Sequence, residues 1–344
     1  VERERGWQGY LDAIGGASDR AHALAVELRR GGGRGGEAWA VAIEAALWQA
    51  LPEGPFPAPH DAARPLVRDA GAEALAGAIV CLEGARGAFL VGRGDEAAPW
   101  AALAAQLPGQ EDQAVAATCA LVAAFHASAV GDWPAAETRA READSLSRSA
   151  RLAPFVVEST ALIAFARLAA DDLTEGISAA RRAVRMARTE ELALPSYLAG
   201  LVLARGRRGA GHFHLASRIL ESLARVAPRG WATWLSWERT LTGVLVESPP
   251  EPAAALAAFI RALESEDREA ILEAAGALRR EARDFAPYQQ DVEALAAVLG
   301  FDESVPPGQW SFCYEVAPAA PCGFEGLPRP LGPQVVAIVD VRPG

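Results

Sequence analysis

The chain has 344 residues, 51% of them hydrophobic and 22% charged, enough for two ordinary domains or one elongated repeat array. A formal net charge of -11 excludes a protein whose whole surface binds nucleic acid, because phosphates are met by a basic face. All 33 basic residues are arginines, and the missing lysine excludes Schiff-base chemistry, pyridoxal attachment and a phosphate-loop lysine.

Alanine dominates with 77 residues, and apolar residues recur at i, i+3, i+4 and i+7 through most of the chain, which predicts an all-α protein. The first helix is expected over 7–30. Gly-Gly-Gly-Arg-Gly-Gly at 31–36 reads as a flexible connector. It follows a helix rather than a strand, so it does not read as a phosphate-binding loop. Further helices are expected over 37–50, 61–91, 95–107, 111–129, 133–150, 154–170, 173–189, 195–206, 212–226, 230–246, 252–264, 266–283 and 287–299. Beyond residue 300 the helical period stops, and eight of the 23 prolines fall in the last 39 residues. This Pro-rich tail contains one expected strand, Val335 to Val341.

The run closest to a membrane span is Ala72 to Gly92, which carries Glu73, Glu83 and Arg86, so no membrane helix is expected. The N-terminus lacks the basic-then-apolar layout of a signal peptide, which points to the cytoplasm. Cys81 and Cys119 lie in apolar helices and read as buried free thiols. Cys313 and Cys322 have no zinc spacing.

Laid on itself at a shift of 40, the chain repeats. Trp133, Leu173 and Phe213 align as large apolar residues at a helix start. Ala136, Gly176, Ala216 and Leu256 align, then Ala140, Ala180, Leu220 and Ile260, then Ala143, Ala183, Leu223 and Leu263. Steps of four and three keep these positions on one helix face. The preceding helix repeats through Ala117, Val157, Tyr197 and Trp237, through Leu121, Ala161, Leu201 and Leu241, and through Ala124, Ala164, Ala204 and Val244. Four helical hairpins are expected over 114–264, with a weaker copy upstream through Cys81, Gly84, Trp100 and Leu103. A single hairpin cannot bury its apolar face, whereas stacked hairpins share a continuous core.

Gly131-Asp132-Trp133-Pro134-Ala135-Ala136 followed by Ala143 resembles the turn and second helix of the tetratricopeptide repeat. Asp171-Asp172-Leu173 with Gly176 and Ala183 is similar, and Gly211-His212-Phe213 with Ala216 is a looser copy. The period is 40 rather than the standard 34 of the family, and its first-helix Trp, Leu-Gly and Tyr pattern is missing. The resemblance therefore implies a degenerate, long-period solenoid of the kind found in helical-repeat regulators of GC-rich bacteria, which often carry a C-terminal winged helix. On that reading residues 1–110 form an N-terminal helical region and 111–265 the repeat array. Residues 266–300 form capping helices, and 301–344 begin a further domain. The function it implies is a protein-interaction or ligand-sensing module of a bacterial signalling or transcription-regulatory protein.

No catalytic spacing survives inspection. His212 and His214 diverge on a helix, and a metal needs three or four converging ligands. Acid pairs such as Asp171-Asp172 and Glu190-Glu191 sit at helix ends, where they cap. There is no Gly-x-Ser-x-Gly elbow and no His-Glu-x-x-His. The chain is therefore read as a non-enzyme that needs no cofactor or metal, with an enzyme assembled from distant residues, or a free-standing scaffold, as alternatives. Residues 171–230 carry ten arginines (181, 182, 185, 188, 205, 207, 208, 218, 225 and 229) against six acids, a local reversal on an acidic chain. Trp231, Trp234 and Trp237 follow, pointing within about 120° of one another. The expected partner is a protein or peptide, neither membrane nor nucleic acid. Its expected contact surface is Arg205, Arg207 and Arg208 with Trp231 and Trp234 as aromatic anchors.

Overall fold

A computed structural model describes residues 2–31, 33–50, 73–225, 231–244, 246–265 and 268–299. Among these residues there are fifteen helices and no strand. They are α1 (Glu2–Ile14), α2 (Ser18–Arg30), α3 (Arg34–Ala50), α4 (Ala74–Val91), α5 (Gly94–Ala104), α6 (Gln113–Val130), α7 (Trp133–Ser149) and α8 (Ala153–Ala169). Then follow α9 (Leu173–Thr189), α10 (Ala193–Gly209), α11 (Phe213–Ala224), α12 (Ala232–Leu241), α13 (Ala253–Ser265), α14 (Arg268–Ala282) and α15 (Ala286–Leu299). The expected tail strand at Val335 to Val341, and residues 61–72 of one expected helix, lie outside the described residues.

The 40-residue period is set by the turns. Residues with a left-handed backbone fall at Gly131, Arg151, Asp171, Glu191 and Gly211, with φ of 81°, 57°, 61°, 53° and 74°. They are spaced by 20, so each helix from α6 to α10, 17 or 18 residues long, is followed by the same short turn. A left-handed residue reverses the chain tightly after a helix C-terminus. Asp132 and Asp172 then start the next helix, each accepting a backbone N–H bond three residues on, from Ala135 at 3.1 Å and Glu175 at 3.2 Å. His212 occupies the same position but makes no side-chain cap. Asp132→Ala is expected to cost about 0.5–2 kcal/mol, read by urea denaturation, because it orphans the Ala135 N–H.

The second helix of each hairpin is amphipathic and buries small residues. Ala136, Ala140 and Ala143 in α7 have no exposed surface, and Gly176, Ala180 and Ala183 take the same places in α9. Ala216 and Leu220 do so in α11. A Cβ on Gly176 would lie 2.6 Å from Leu168 Cδ2, so close crossing of α8 and α9 selects glycine there. The upstream copy is present too: α4 and α5 pair, and a Cβ on Gly84 would lie 2.4 Å from the Trp100 ring.

The first helices α4, α6, α8, α10 and α12 pack in series, and α12 also meets α4. This curl leaves a filled interior: Phe89 meets Phe125, Phe165, Trp234 and Phe285 at centroid distances of 5.1–5.7 Å. Two of these helices, α4 and α6, are long and apolar enough by composition to cross a membrane, with 89% and 67% of their residues buried. The sequence reading singled out only the first; α6 contains no charged residue at all. Burial pushes the Cys81 thiol in α4 up to about 12 and that of Cys119 in α6 up to about 11, as inert interior thiols require.

Two expectations near the N-terminus are corrected. The helix over 7–30 is two helices, α1 and α2, reversed at Gly16 with φ of 90°. The glycine run is not a connector throughout, since Arg34 to Gly36 open α3. A Cβ on Gly36 would lie 2.5 Å from the Leu28 carbonyl oxygen, so that glycine serves close packing of α2 on α3 rather than flexibility. Helices α1, α2 and α3 pack together, α3 rests on α4, and α1 reaches α10.

Candidate functional site

Arg205 and Arg208 are one turn apart near the C-terminal end of α10, and Trp234, Trp237 and Glu238 share a face of α12. Between these faces lies the start of α15. Arg205 donates to Glu238 Oε1 at 3.0 Å and to Asp291 Oδ2 at 2.7 Å, and also to the Pro287 carbonyl at 3.2 Å. Arg208 donates to Glu238 Oε2 at 2.8 Å and to Asp291 Oδ1 at 3.1 Å. The indoles of Trp234 and Trp237 complete the set, donating to Glu238 at 3.2 Å and to Asp291 at 2.9 Å. Arg205 also stacks over Phe165, 5.6 Å from its centroid.

Two cations therefore meet two carboxylates inside the protein. Burial alone would lift the Asp291 carboxyl, and the Arg205 and Arg208 guanidiniums more than reverse this, holding it below the usual carboxylate range. Tyr288 lies 4.3 Å from the Trp237 ring, and burial beside Glu238 pushes its phenol well above the usual value. The face in contact is Phe285, just before α15, with Tyr288, Asp291 and Val292 of α15, spaced as a helical stripe. Its approach depends on glycine: Gly92 has φ of 77°, and a Cβ there would lie 2.4 Å from the Tyr288 ring. Gly94 N–H donates to the Asp284 carbonyl at 2.7 Å, and Gln290 donates to the Ala169 carbonyl at 2.8 Å. The segment thus spans the ends of α4, α8 and α10.

The structure changes the expected surface. Trp231 and Trp234 have no exposed area, so neither is a free aromatic anchor. Trp231 packs on Tyr197 at 5.8 Å, its indole N–H without a hydrogen-bond partner among the described residues. The reason is register: the stripe faces the aromatic interior where α12 returns to α4. Arg205 is 7% exposed and fully engaged, and Arg208 is largely buried, so these two are not free to orient an approaching partner. Arg207 is half-buried and has no acid partner among the described residues. Sequence reasoning brought Arg205, Arg208 and Trp234 to one region and missed Glu238, Tyr288 and Asp291. Asp291 is 86 residues from Arg205, and no periodicity links them.

A second buried cluster was missed entirely. Tyr10 of α1 donates to Glu83 of α4 at 2.9 Å, and Arg86 donates to Glu158 of α8 at 2.7 Å and also pairs with Glu83. All four residues are at most 1% exposed. Burial raises the Glu158 carboxyl despite Arg86. This cluster ties the N-terminal helices to the array. Among the described residues no three His, Cys, Asp or Glu side chains are grouped to hold a metal ion.

No protein-family model and no curated protein matches the sequence. Solved structures do. A Rap protein complexed with competence and sporulation factor aligns at a TM-score of 0.50 and 12% identity, covering 86% of this chain and 81% of that one. Aspartyl phosphate phosphatase F from Bacillus subtilis aligns at a TM-score of 0.40 and 12% identity, covering 83% and 78%. The chain has the helical-repeat fold of the first of these.

Proposed function

We propose that the chain is a helical-repeat protein-interaction module of a bacterial regulatory protein, acting in the cytoplasm without catalysis of its own. The α15 seat carries this reading. Arg205, Arg208, Trp234, Trp237 and Glu238 form a receptor for an amphipathic helix that brings two aromatic rings and one carboxylate, and the chain's own α15 fills it. A partner helix or peptide with the spacing of Phe285, Tyr288 and Asp291 competes for the same groups, which is how such a module senses a ligand. The Rap protein of similar fold was solved in complex with a factor, which supports partner binding by this architecture.

Asp291→Asn in the full chain tests the proposal. It leaves two buried arginines against one carboxylate, a cost of about 2–5 kcal/mol. The expected result is loss of amide-exchange protection over 286–295 and binding of a synthetic 284–299 peptide in trans. The same peptide carrying Asn at 291 does not bind. Unchanged protection together with no peptide binding overturns the reading. The pH dependence follows from the depressed Asp291 value. A lowered carboxyl contributes stability above its unfolded value, and that contribution disappears as pH falls through the folded one. Docking of α15 is therefore expected to hold at neutral pH and to loosen below about pH 4, seen by the same exchange measurement.

A further inference from the structure

The outer helices α7 and α9 occupy the same place in successive repeats, so their surfaces compare residue by residue. In α7 the exposed arginines are paired: Arg141 with Glu137 at 2.7 Å, Arg148 with Asp144 at 2.8 Å, and Arg139 with Glu142 at 2.8 Å. Forty residues on, Arg141 becomes Arg181 and Arg148 becomes Arg188, whereas Glu137 becomes Ile177 and Asp144 becomes Val184. Arg182 and Arg185 are added. All four arginines of α9 are exposed, and none has an ion-pair partner among the described residues. The backbone is kept while the counter-charges are replaced by half-buried aliphatics. Background arginine enrichment does not remove acids from two successive i−4 positions.

We propose that this face of α9 docks an acidic amphipathic helix of a partner protein. The inference goes beyond the α15 reading and rests on a different helix. Arg181, Arg185 and Arg188 are one turn apart within a sector of about 60°, the spacing that carboxylates on a helix laid alongside present. Ile177 and Val184 give the apolar seam that a purely ionic contact lacks. The stripe is roughly 10 Å long, which suits two to three carboxylates but not duplex DNA, whose binding takes about 6–10 phosphate contacts. The chain's net charge of -11 adds no attraction for a polyanion elsewhere on its surface.

The test uses the full chain and three fluorescent probes. One is a helical peptide with a leucine seam and glutamates one turn apart. The second is the same peptide with glutamine for glutamate, and the third is a short DNA duplex. Anisotropy is read at low and high salt. The expected result is binding of the Glu peptide that weakens with salt and falls by roughly tenfold or more in Arg181→Ala/Arg185→Ala/Arg188→Ala. These positions are exposed and alanine favours helix, so the triple variant is expected to keep the parent melting temperature. The control Arg139→Ala/Arg148→Ala, which removes paired arginines from α7, is expected to bind as the parent does. Equal affinity of a folded triple variant, equal binding of the Gln peptide, or tighter α9-dependent binding of the duplex each overturns the proposal. A defect confined to the triple variant leaves α15 protection intact, so the outcome is separable from that of Asp291→Asn.

Discussion

Arg86→Met is expected to destabilise the protein by about 3–5 kcal/mol, because it strips the counter-charge from two buried carboxylates. Arg86 bridges Glu83 and Glu158, and all three side chains are at most 1% exposed. Their desolvation has already been met in the native protein, so losing the cation leaves a cost with no compensation. The pH dependence has a definite sign. Burial lifts the Glu158 carboxyl even with Arg86 beside it. Without Arg86 the lift grows, and the folded state retains a proton that the unfolded state has lost. Such a group stabilises fully below its unfolded value and loses that contribution as pH rises through the folded one. The deficit of Arg86→Met is therefore expected to be largest at neutral pH and to shrink near the ordinary carboxylate value of about 4.3. Urea denaturation at the two pH values checks both parts. Adding Glu158→Gln should recover part of the loss, since it removes one stranded charge. A deficit under about 1 kcal/mol that does not vary with pH would show that the cluster does not hold α1 to the array.

Phe89→Ala is expected to cost about 3–5 kcal/mol, the range for removing a buried aromatic side chain. Phe89 is fully buried and touches Phe125, Phe165, Trp234 and Phe285, which come from α6, α8, α12 and the segment before α15. One ring thus joins the two ends of the curl, α4 and α12, to the segment that leads into α15. Collapse around the cavity is limited, because four rings in edge contact cannot all move inward. The expected signature is a fall in denaturation midpoint with reduced exchange protection in α12 and α15 as well as α4. Phe89→Leu retains most of the volume and is expected to lose much less. If Phe89→Ala loosened only α4, the curl would not be a single cooperative unit.

Much of the fold was legible because its causes are local. Helical period, the Asp caps at 132 and 172 and the reversal at Gly131 act over a few residues. Their repetition at 40 therefore marked the hairpins of α6 to α13 without knowledge of any contact. The loss of acids between α7 and α9 is also written in the repeat alignment, at 137 against 177 and 144 against 184. Composition fixed the absence of lysine chemistry. Faces and pairings were decided elsewhere. Trp231, Trp234 and Trp237 form the same stripe whether it meets solvent or core, and only the return of α12 to α4 turned it inward. Arg205 and Arg208 read as free bases until Asp291 arrived from 86 and 83 residues away. Arg86 and Glu158, 72 residues apart, met only because α4 and α8 face one interior. A helix period specifies which side chains share a face. What that face touches depends on how hairpins curl, and that follows from close contacts such as Gly92 on Tyr288 and Gly84 on Trp100, which exist only once the chain is folded.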